Sequence, residues 1–183
     1  MKMLRLDLFG DAALLRNAFA DYLEVADGEW ALMGTGFTSL DENPGAKTDS
    51  ETYINEVTAS ASINGYETQF AYNVRMIPSQ DAIYTLWKDA RDHAIGDDAQ
   101  HHYVRVDLFN PIGIPDENHA YFTARKFLVC NEASGITGNG GEKIQGTGTL
   151  HAVGDPIQGK FDTVEKEFTA GTFAGKYDDT ISG

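Results

Sequence analysis

The sequence predicts a mainly β protein, a β-sandwich or small barrel of antiparallel strands with one packed α-helix. Runs of alternating apolar and polar residues, the period of a half-buried strand, recur along most of the 183-residue chain. Asp27-Gly28 and Asn64-Gly65 each separate two such runs, and these dipeptides favour two-residue hairpin turns because both central positions need positive φ. One segment has a helical period. With 42% hydrophobic residues, a single folded domain over residues 19–173 is expected.

The two ends of the chain are predicted to lie outside this domain. Residues 1–18 are predicted to form an N-terminal arm or a short helix, in which Asp11 caps a turn over residues 11–18. Asp7 and Asp11 interrupt the apolar residues there, so we expect no signal peptide. No apolar run reaches the length of about 18 residues that a membrane span needs. Residues 174–183 are predicted to form a flexible C-terminal tail.

The first hairpin is predicted to join residues 19–26 to residues 29–40 through Asp27-Gly28. A long polar loop, residues 41–56, is predicted to follow. It contains one cationic residue, Lys47, against the acidic residues Asp41, Glu42, Asp49, Glu51 and Glu56. Loops longer than about 12 residues are uncommon in compact domains and are often functional.

A second hairpin is predicted to join residues 57–63 to residues 66–76 through Asn64-Gly65. A two-residue turn would pair Ile63 with Tyr66 and Val57 with Tyr72. Because side chains alternate along a strand, the apolar residues would share one face. The other face would be polar and carry Thr58, Ser60, Ser62, Glu67, Gln69 and Asn73. Two interpretations of this face remain open: it is solvated, or it lines a channel or contacts a neighbouring subunit.

The helix is predicted over residues 80–95, where one face is apolar and carries Ile83, Leu86, Trp87, Ala90 and Ala94. Ser79 is the predicted N-cap, and Gly96 is the predicted residue that ends the helix in a left-handed conformation. An amphipathic helix of this length is expected to cover one face or edge of a sheet.

Further strands are predicted over residues 102–108, 122–130 and 144–153, with one or two more in residues 161–173. Gly146 and Gly148 within the third run indicate a bulge or a close approach of backbones. The glycine-rich residues 135–143 are predicted to form a flexible loop. They do not fit a phosphate-binding loop, because Ile144 stands where that motif has Ser or Thr and a strand follows instead of a helix.

No catalytic, metal or cofactor site is predicted. The five histidines show none of the spacings that metal sites use: His93, His101, His102, His119 and His151. Cys130 is the single cysteine and is expected to be a buried structural thiol. The net charge of −14 argues against a groove that grips nucleic acid, and it would suit a surface along which DNA slides without sticking.

The order of these elements resembles that of the major tail (tail tube) proteins of long, non-contractile-tailed phages and prophages of Gram-positive bacteria. The resemblance spans roughly residues 19–150. It rests on the order of short features along the chain. Trp30 to Leu40 is followed by Asn43-Pro44 and by Glu51 to Glu56. The hairpin of residues 57–76 and the helix come next, and residues 94–100 then precede Val104-Arg-Val-Asp-Leu108.

This resemblance implies a structural protein that forms stacked, hexameric rings around an acidic lumen through which DNA passes without specific binding. It implies a homo-oligomer that also contacts the tape measure, tail terminator and tail tip proteins, without a cofactor or a membrane. It places the chain in the virion tail after synthesis in the bacterial cytoplasm. The loop is then predicted to supply contacts between subunits or rings, through Asn43, Lys47, Asp49, Glu51, Tyr53 and Ile54. The polar hairpin face is predicted to be lumen- or neighbour-facing, through Thr58, Ser60, Ser62, Glu67 and Gln69.

Three alternatives remain open at this point. One is the inner tube subunit of a contractile tail or injection device, for which the same kind of fold is expected. Another is a stand-alone β-sandwich module that binds a small ligand or a carbohydrate on the polar hairpin face. The third is a β-rich hydrolase with dispersed carboxylates, although no particular carboxylate can be nominated.

Overall fold

Antiparallel strands carry most of the structure, a computed structural model that describes residues 13–178. Within this range there are two 3₁₀ turns, Arg16–Ala18 and Gly96–Ala99, and one α-helix, α1, Asp81–Asp92. The strands are β1 Phe19–Ala26, β2 Glu29–Leu32, β3 Phe37–Asn43, β4 Ala46–Glu51, β5 Ser60–Tyr66, β6 Gln69–Arg75, β7 Gln100–Pro111, β8 Tyr121–Thr137, β9 Gln145–Ala152, β10 Ile157–Asp162 and β11 Glu167–Ala170.

The main sheet contains nine strands, and seven of them follow the order β2-β1-β7-β8-β9-β6-β3. β10 pairs with β8 and carries β11 on its other edge, while β4 and β5 form a separate two-stranded sheet. Every pairing is antiparallel. The sheet curls into a half-barrel with α1 packed on it, which confirms the predicted fold class.

Two apolar cores lie on opposite faces of the central strands. Successive residues of a strand point to opposite faces, so β1 places Tyr22 in one core and Leu23 in the other. In the larger core, the ring of Phe70 lies 4.6 Å from that of Tyr103 and 5.0 Å from that of Phe127. Ile83 of α1 is buried in the same core. The smaller core contains Tyr22, Trp30, Val104, Val106, Ala124 and Phe161.

The predicted helix is present, with different end residues. Gln80, and not Ser79, is the N-cap, and its side chain makes no capping hydrogen bond. The helix ends at Asp92 because His93, with φ of 52°, takes the left-handed conformation predicted for Gly96. The Ala94 N–H then donates to the Asp89 carbonyl at 2.9 Å, which satisfies a carbonyl of the last turn.

The first hairpin is confirmed by the pairing of β1 with β2 around Asp27-Gly28, where Gly28 has φ of 73°. The second strand is shorter than the predicted residues 29–40. β2 ends at Leu32, Met33 is buried in the larger core, and the chain then crosses to the far end of the sheet. There it forms β3, which pairs with β6.

The predicted second hairpin is wrong, since Asn64-Gly65 lies inside β5 and β5 pairs with β4. β6 pairs instead with β3 and β9, an arrangement that buries its alternating residues Phe70, Tyr72 and Val74 in the larger core. Asn64 is the extra residue of a β-bulge, because Lys47 pairs with Gly65 while Thr48 pairs with Ile63.

The predicted loop of residues 41–56 is also largely strand. β3 reaches Asn43, and β4 occupies Ala46–Glu51. Asn43 pairs with Gln69, and three residues further out Ala46 pairs with Tyr66, so both sheets share one register. β3 with β4 and β5 with β6 therefore form one long ribbon, whose inner half belongs to the barrel.

β7 and β8 extend the predicted runs, β9 falls within the predicted residues 144–153, and of the last two strands β11 lies within residues 161–173 while β10 begins earlier, at Ile157. β8 continues to Thr137, so the first third of the predicted glycine-rich loop is strand, and the connection to β9 is residues 138–144. Cys130 on β8 is half-buried, less enclosed than expected. In the predicted tail, the Tyr177 N–H donates to Asn110 Oδ1 at 2.9 Å, which ties this part of the segment to β7. Residues 1–12, including Asp11, and residues 179–183 lie outside the described range.

Candidate functional site

The outer half of the ribbon, residues 46–66, is the projecting hairpin. It consists of β4, β5 and the connecting residues 52–59. Every residue from 46 to 64 is exposed, so neither face of this hairpin is covered by the rest of the described chain. Its tip nevertheless carries Tyr53, Ile54 and Val57, which are 57%, 109% and 102% exposed. Exposed apolar side chains grouped in this way, within five positions of one connection, are typical of an interaction surface.

The bulge at Asn64 separates the hairpin into two chemically different faces. Residues paired across an antiparallel ladder point to the same face, and the extra residue places both Ile63 and Tyr66 on one of them. That face, here the apolar face, carries no charge and consists of Ala46, Thr48, Ser50, Ala61, Ile63 and Tyr66. The opposite face is polar and carries Lys47, Asp49, Glu51, Ser60 and Ser62.

The structure brings the two predicted groups of site residues together on the ribbon formed by β3, β4, β5 and β6. Of the predicted interface residues, Asn43 ends β3, Lys47, Asp49 and Glu51 lie on β4, and Tyr53 and Ile54 lie in the connection. Of the predicted lumen- or neighbour-facing residues, Thr58 lies in the connection, Ser60 and Ser62 on β5, Glu67 between the strands, and Gln69 at the start of β6. Their roles stay predictions.

The root of the hairpin has a defined geometry. Pro44 interrupts the ladder because it has no N–H, and Gly45 follows with φ of 60°. A Cβ on Gly45 would lie 2.3 Å from the Glu67 carbonyl oxygen, so only glycine permits this approach. The Glu67 N–H donates to the Gly45 carbonyl at 3.0 Å, and Lys47 Nζ lies 2.7 Å from Glu67 Oε2. These contacts direct the hairpin away from the barrel.

A charged network that the sequence analysis missed anchors the ribbon just before this root. Glu42 on β3 accepts hydrogen bonds from Arg125 Nη1 at 2.7 Å, Arg125 Nη2 at 3.0 Å and Arg105 Nη1 at 2.8 Å. Burial raises the pKa of Glu42, but the hydrogen bonds and charges of Arg125 and Arg105 outweigh it and lower that pKa. Glu42 therefore joins the ribbon to β7 and β8.

The same network continues to Asp21, which is buried on β1. Tyr103 and Arg16 both donate hydrogen bonds to the Asp21 carboxylate. Arg105 Nε lies 3.1 Å from Asp21 Oδ1, yet it has no aligned hydrogen-bond partner in residues 13–178, so this contact is an ion pair only. The sequence did contain one signal for this network. Side chains two residues apart on a strand point to the same face, so Arg105 points to the same core as Tyr103.

Four of the histidines contact carboxylates one to one instead of gathering around a common point. Their contacts are His101 with Asp89 at 2.7 Å, His102 with Glu24 at 2.5 Å, His119 with Asp162 at 2.7 Å and His151 with Glu132 at 2.6 Å. The described part of the chain brings no three His, Cys, Asp or Glu side chains together in a way that could hold a metal ion. None of the helices in residues 13–178 has both the length and the apolar character that a membrane crossing requires.

A cleft of 490 Å³, the root cleft, lies between the hairpin root and the turn that joins β9 to β10. Pro44 and Tyr66 line it on the hairpin side, Phe127 on the barrel side, and Asp155 and Pro156 on the turn. Glu42 and Arg125 also reach this cleft, but they bind each other there. The remaining lining is mostly uncharged.

Comparison with known proteins shows the fold. No family model and no curated protein matches the sequence. The chain is similar to one from the tail of an empty GTA particle, whose structure was computed with helical refinement and C6 symmetry. The TM-score is 0.52 and the sequence identity is 12%, and the match covers 86% of this chain and 100% of that one. This chain is also similar, at a TM-score of 0.48 and 8% identity over 81% and 96%, to a chain in a cryo-EM structure of the anti-feeding prophage baseplate, 6-fold symmetrised.

Proposed function

We propose that this protein is a structural subunit of a phage tail tube, which assembles with copies of itself into stacked rings. The projecting hairpin is the observation that carries the proposal, since residues 46–64 are all exposed and include the apolar tip residues Tyr53, Ile54 and Val57. The projecting hairpin buries no residue from 46 to 64 in the monomer, whereas contact with a neighbouring subunit would bury its apolar residues.

The similarity to a chain in an assembled particle tail supports a structural subunit rather than an enzyme. The C6 symmetry of that tail supports rings of six, and the complete coverage of that chain means that the shared fold is the whole of that subunit. Stacking of such rings is a head-to-tail contact, which repeats without closing and so builds a tube.

The net charge of −14 supports a lumen that repels the DNA backbone, so that DNA passes without being held. In this proposal the protein belongs to the virion tail, and the tape measure, tail terminator and tail tip proteins are its further partners. The predicted interface and lumen residues of the hairpin keep those roles as part of the proposal.

The purified full-length chain tests the proposal directly. We expect concentrated protein to give rings or tubes in negative-stain micrographs and a large species in size-exclusion chromatography with light scattering. A monodisperse monomer at all concentrations, without rings or tubes, would contradict it.

The tip of the hairpin offers a matched pair of variants. The double change Ile54→Ser and Val57→Ser removes apolar side chains that are 109% and 102% exposed, and we expect it to reduce assembly strongly. Ile114→Ser removes a side chain that is 95% exposed on the loop between β7 and β8. Because this loop lies outside the hairpin, the control should assemble like the original chain.

A further inference from the structure

The tip of the projecting hairpin and the root cleft lie at opposite ends of the hairpin. The tip carries the exposed Ile54 and Val57, whereas the cleft at the other end is lined by Tyr66, Phe127 and Pro156. A tip that binds at the root of the next copy uses two different surfaces of the same molecule. Such a contact is head-to-tail, so it can repeat from one copy to the next.

The apolar face leads from one surface to the other. Ile63 and Tyr66 are 58% and 63% exposed on this face, and Tyr66 also lines the root cleft. The face and the cleft are therefore one continuous surface, bounded on its far side by Asp155 and Pro156. The cleft volume of 490 Å³ falls in the range of ligand-binding pockets, so the cleft has room for several side chains of a partner.

Charge favours this surface as the place where two copies meet. Each chain carries a net charge of −14, so copies repel one another in general. The apolar face carries no charged residue, whereas the opposite face of the hairpin carries Asp49 and Glu51. Glu42 in the cleft is neutralised by Arg125, and Glu67 at the root is paired with Lys47. Asp155 in the cleft and Glu56 at the tip keep their charges, so contact along the apolar face reduces the repulsion between copies without removing it.

We propose that the root cleft and the adjoining apolar face receive the hairpin tip of a second copy of this chain, with Ile54 and Val57 against Tyr66 and Pro156. The proposal rests on the proposed function and specifies which surfaces meet when copies assemble. It also assigns the apolar face to this contact and leaves the polar face, with Asp49 and Ser62, to the lumen or to a contact with a different neighbouring subunit.

Disulfide trapping tests the contact. One chain carries Val57→Cys and another carries Asp155→Cys, both with Cys130→Ala to remove the native thiol. Within one copy these positions are separated by the length of β5, seven residues and so about 20 Å. A disulfide needs Cα atoms within about 7 Å, so a bond between residues 57 and 155 must join two copies.

Mixed in equal amounts and oxidised after assembly, the two chains are expected to give a covalent dimer in up to about half of the protein that has formed rings or tubes, because only about one contact in four brings residue 57 of the first variant to residue 155 of the second. The matched control replaces Asp155→Cys by Ile114→Cys, which presents an exposed thiol away from the cleft and should give at least five-fold less dimer. Circular dichroism shows that each variant is folded before mixing.

The outcomes separate this inference from the proposed function. Rings or tubes that form without the 57–155 disulfide, or with as much of the 57–114 disulfide, would overturn the inference and leave the proposed function intact. Absence of rings and tubes for the original chain would contradict the proposed function, and the inference with it.

Discussion

Arg125 donates two hydrogen bonds to Glu42, at 2.7 and 3.0 Å, and so holds the end of β3 in place just before the ribbon leaves the barrel. Glu42 is followed by Asn43, Pro44 and Gly45, where the ladder breaks and the projecting hairpin begins. The direction of the hairpin thus depends on an ion pair inside the barrel as well as on the backbone at its root.

Glu42→Ala is expected to destabilise the fold by about 1.5–3 kcal/mol, because it leaves Arg105, a buried cation, without one of its two carboxylate partners. Urea unfolding followed by circular dichroism measures the free energy of unfolding. Glu67→Ala is the control: its pair with Lys47 is 65% and 57% exposed, and its removal should cost below about 1 kcal/mol. Equal costs for the two variants would contradict the role assigned to Glu42.

His119 is expected to keep its proton to a higher pH than an ordinary histidine. The hydrogen bond to Asp162, and then the charge of that carboxylate, raise the pKa of His119 above its usual 6.5, although burial opposes them. Because the folded-state pKa is raised, the stabilisation is complete below pH 6.5 and is lost as the pH rises through the raised value.

An NMR titration of the His119 ring measures this pKa in the folded chain. Asp162→Asn keeps an oxygen that can accept the N–H groups of Ala120 and Val164 but removes the negative charge. The pKa should therefore return towards 6.5 in this variant. An unchanged titration in Asp162→Asn would show that the pair does not raise the pKa.

Gly148→Ala is expected to destabilise the fold by about 1–3 kcal/mol through overpacking. The added Cβ would lie 2.3 Å from Tyr72 Oη and 2.6 Å from the Glu132 carbonyl oxygen, and neither can move without loss of contacts. The Tyr72 hydroxyl, for example, donates to Asn131 Oδ1 at 2.8 Å. Gly140→Ala is the control, since nothing lies within 4 Å of its added Cβ, and thermal unfolding should distinguish the two.

Local signals were sufficient for parts of the fold. The helix follows from the spacing of residues such as Ile83 and Leu86, and the first hairpin follows from Asp27-Gly28, because both depend on neighbours in the sequence. The close approach at Gly148 was also indicated, by a glycine inside a predicted strand.

The ribbon could not be predicted in the same way. Asn64-Gly65 is a strong turn signal, but a turn there would keep β6 away from β3 and β9. Burial of Phe70 between strands that are distant in the sequence outweighs the preference of two residues for positive φ. Asn64 then becomes the extra residue of a bulge, and part of the segment predicted as a loop becomes strand β4.

The candidate site likewise has a part that the local sequence indicated and a part that depends on residues far apart in the sequence. Composition alone identified residues 41–56 as too polar for a core, and the exposed projecting hairpin agrees with that. The Glu42 network was missed because its members are far apart in sequence, on β3, β7 and β8. A charged residue at an inward position of a strand becomes informative only when its partner is known.

The most direct test of the proposed tail tube subunit is to remove the projecting hairpin. Residues 47–65 are replaced by Asn-Gly, a two-residue turn that suits the paired positions Ala46 and Tyr66. Because no residue from 46 to 64 is buried, the variant should fold, with the circular dichroism spectrum of a β-rich domain and a urea midpoint close to the original. We predict that it remains a monomer without rings or tubes in electron micrographs. Tubes like those of the original chain would contradict the account.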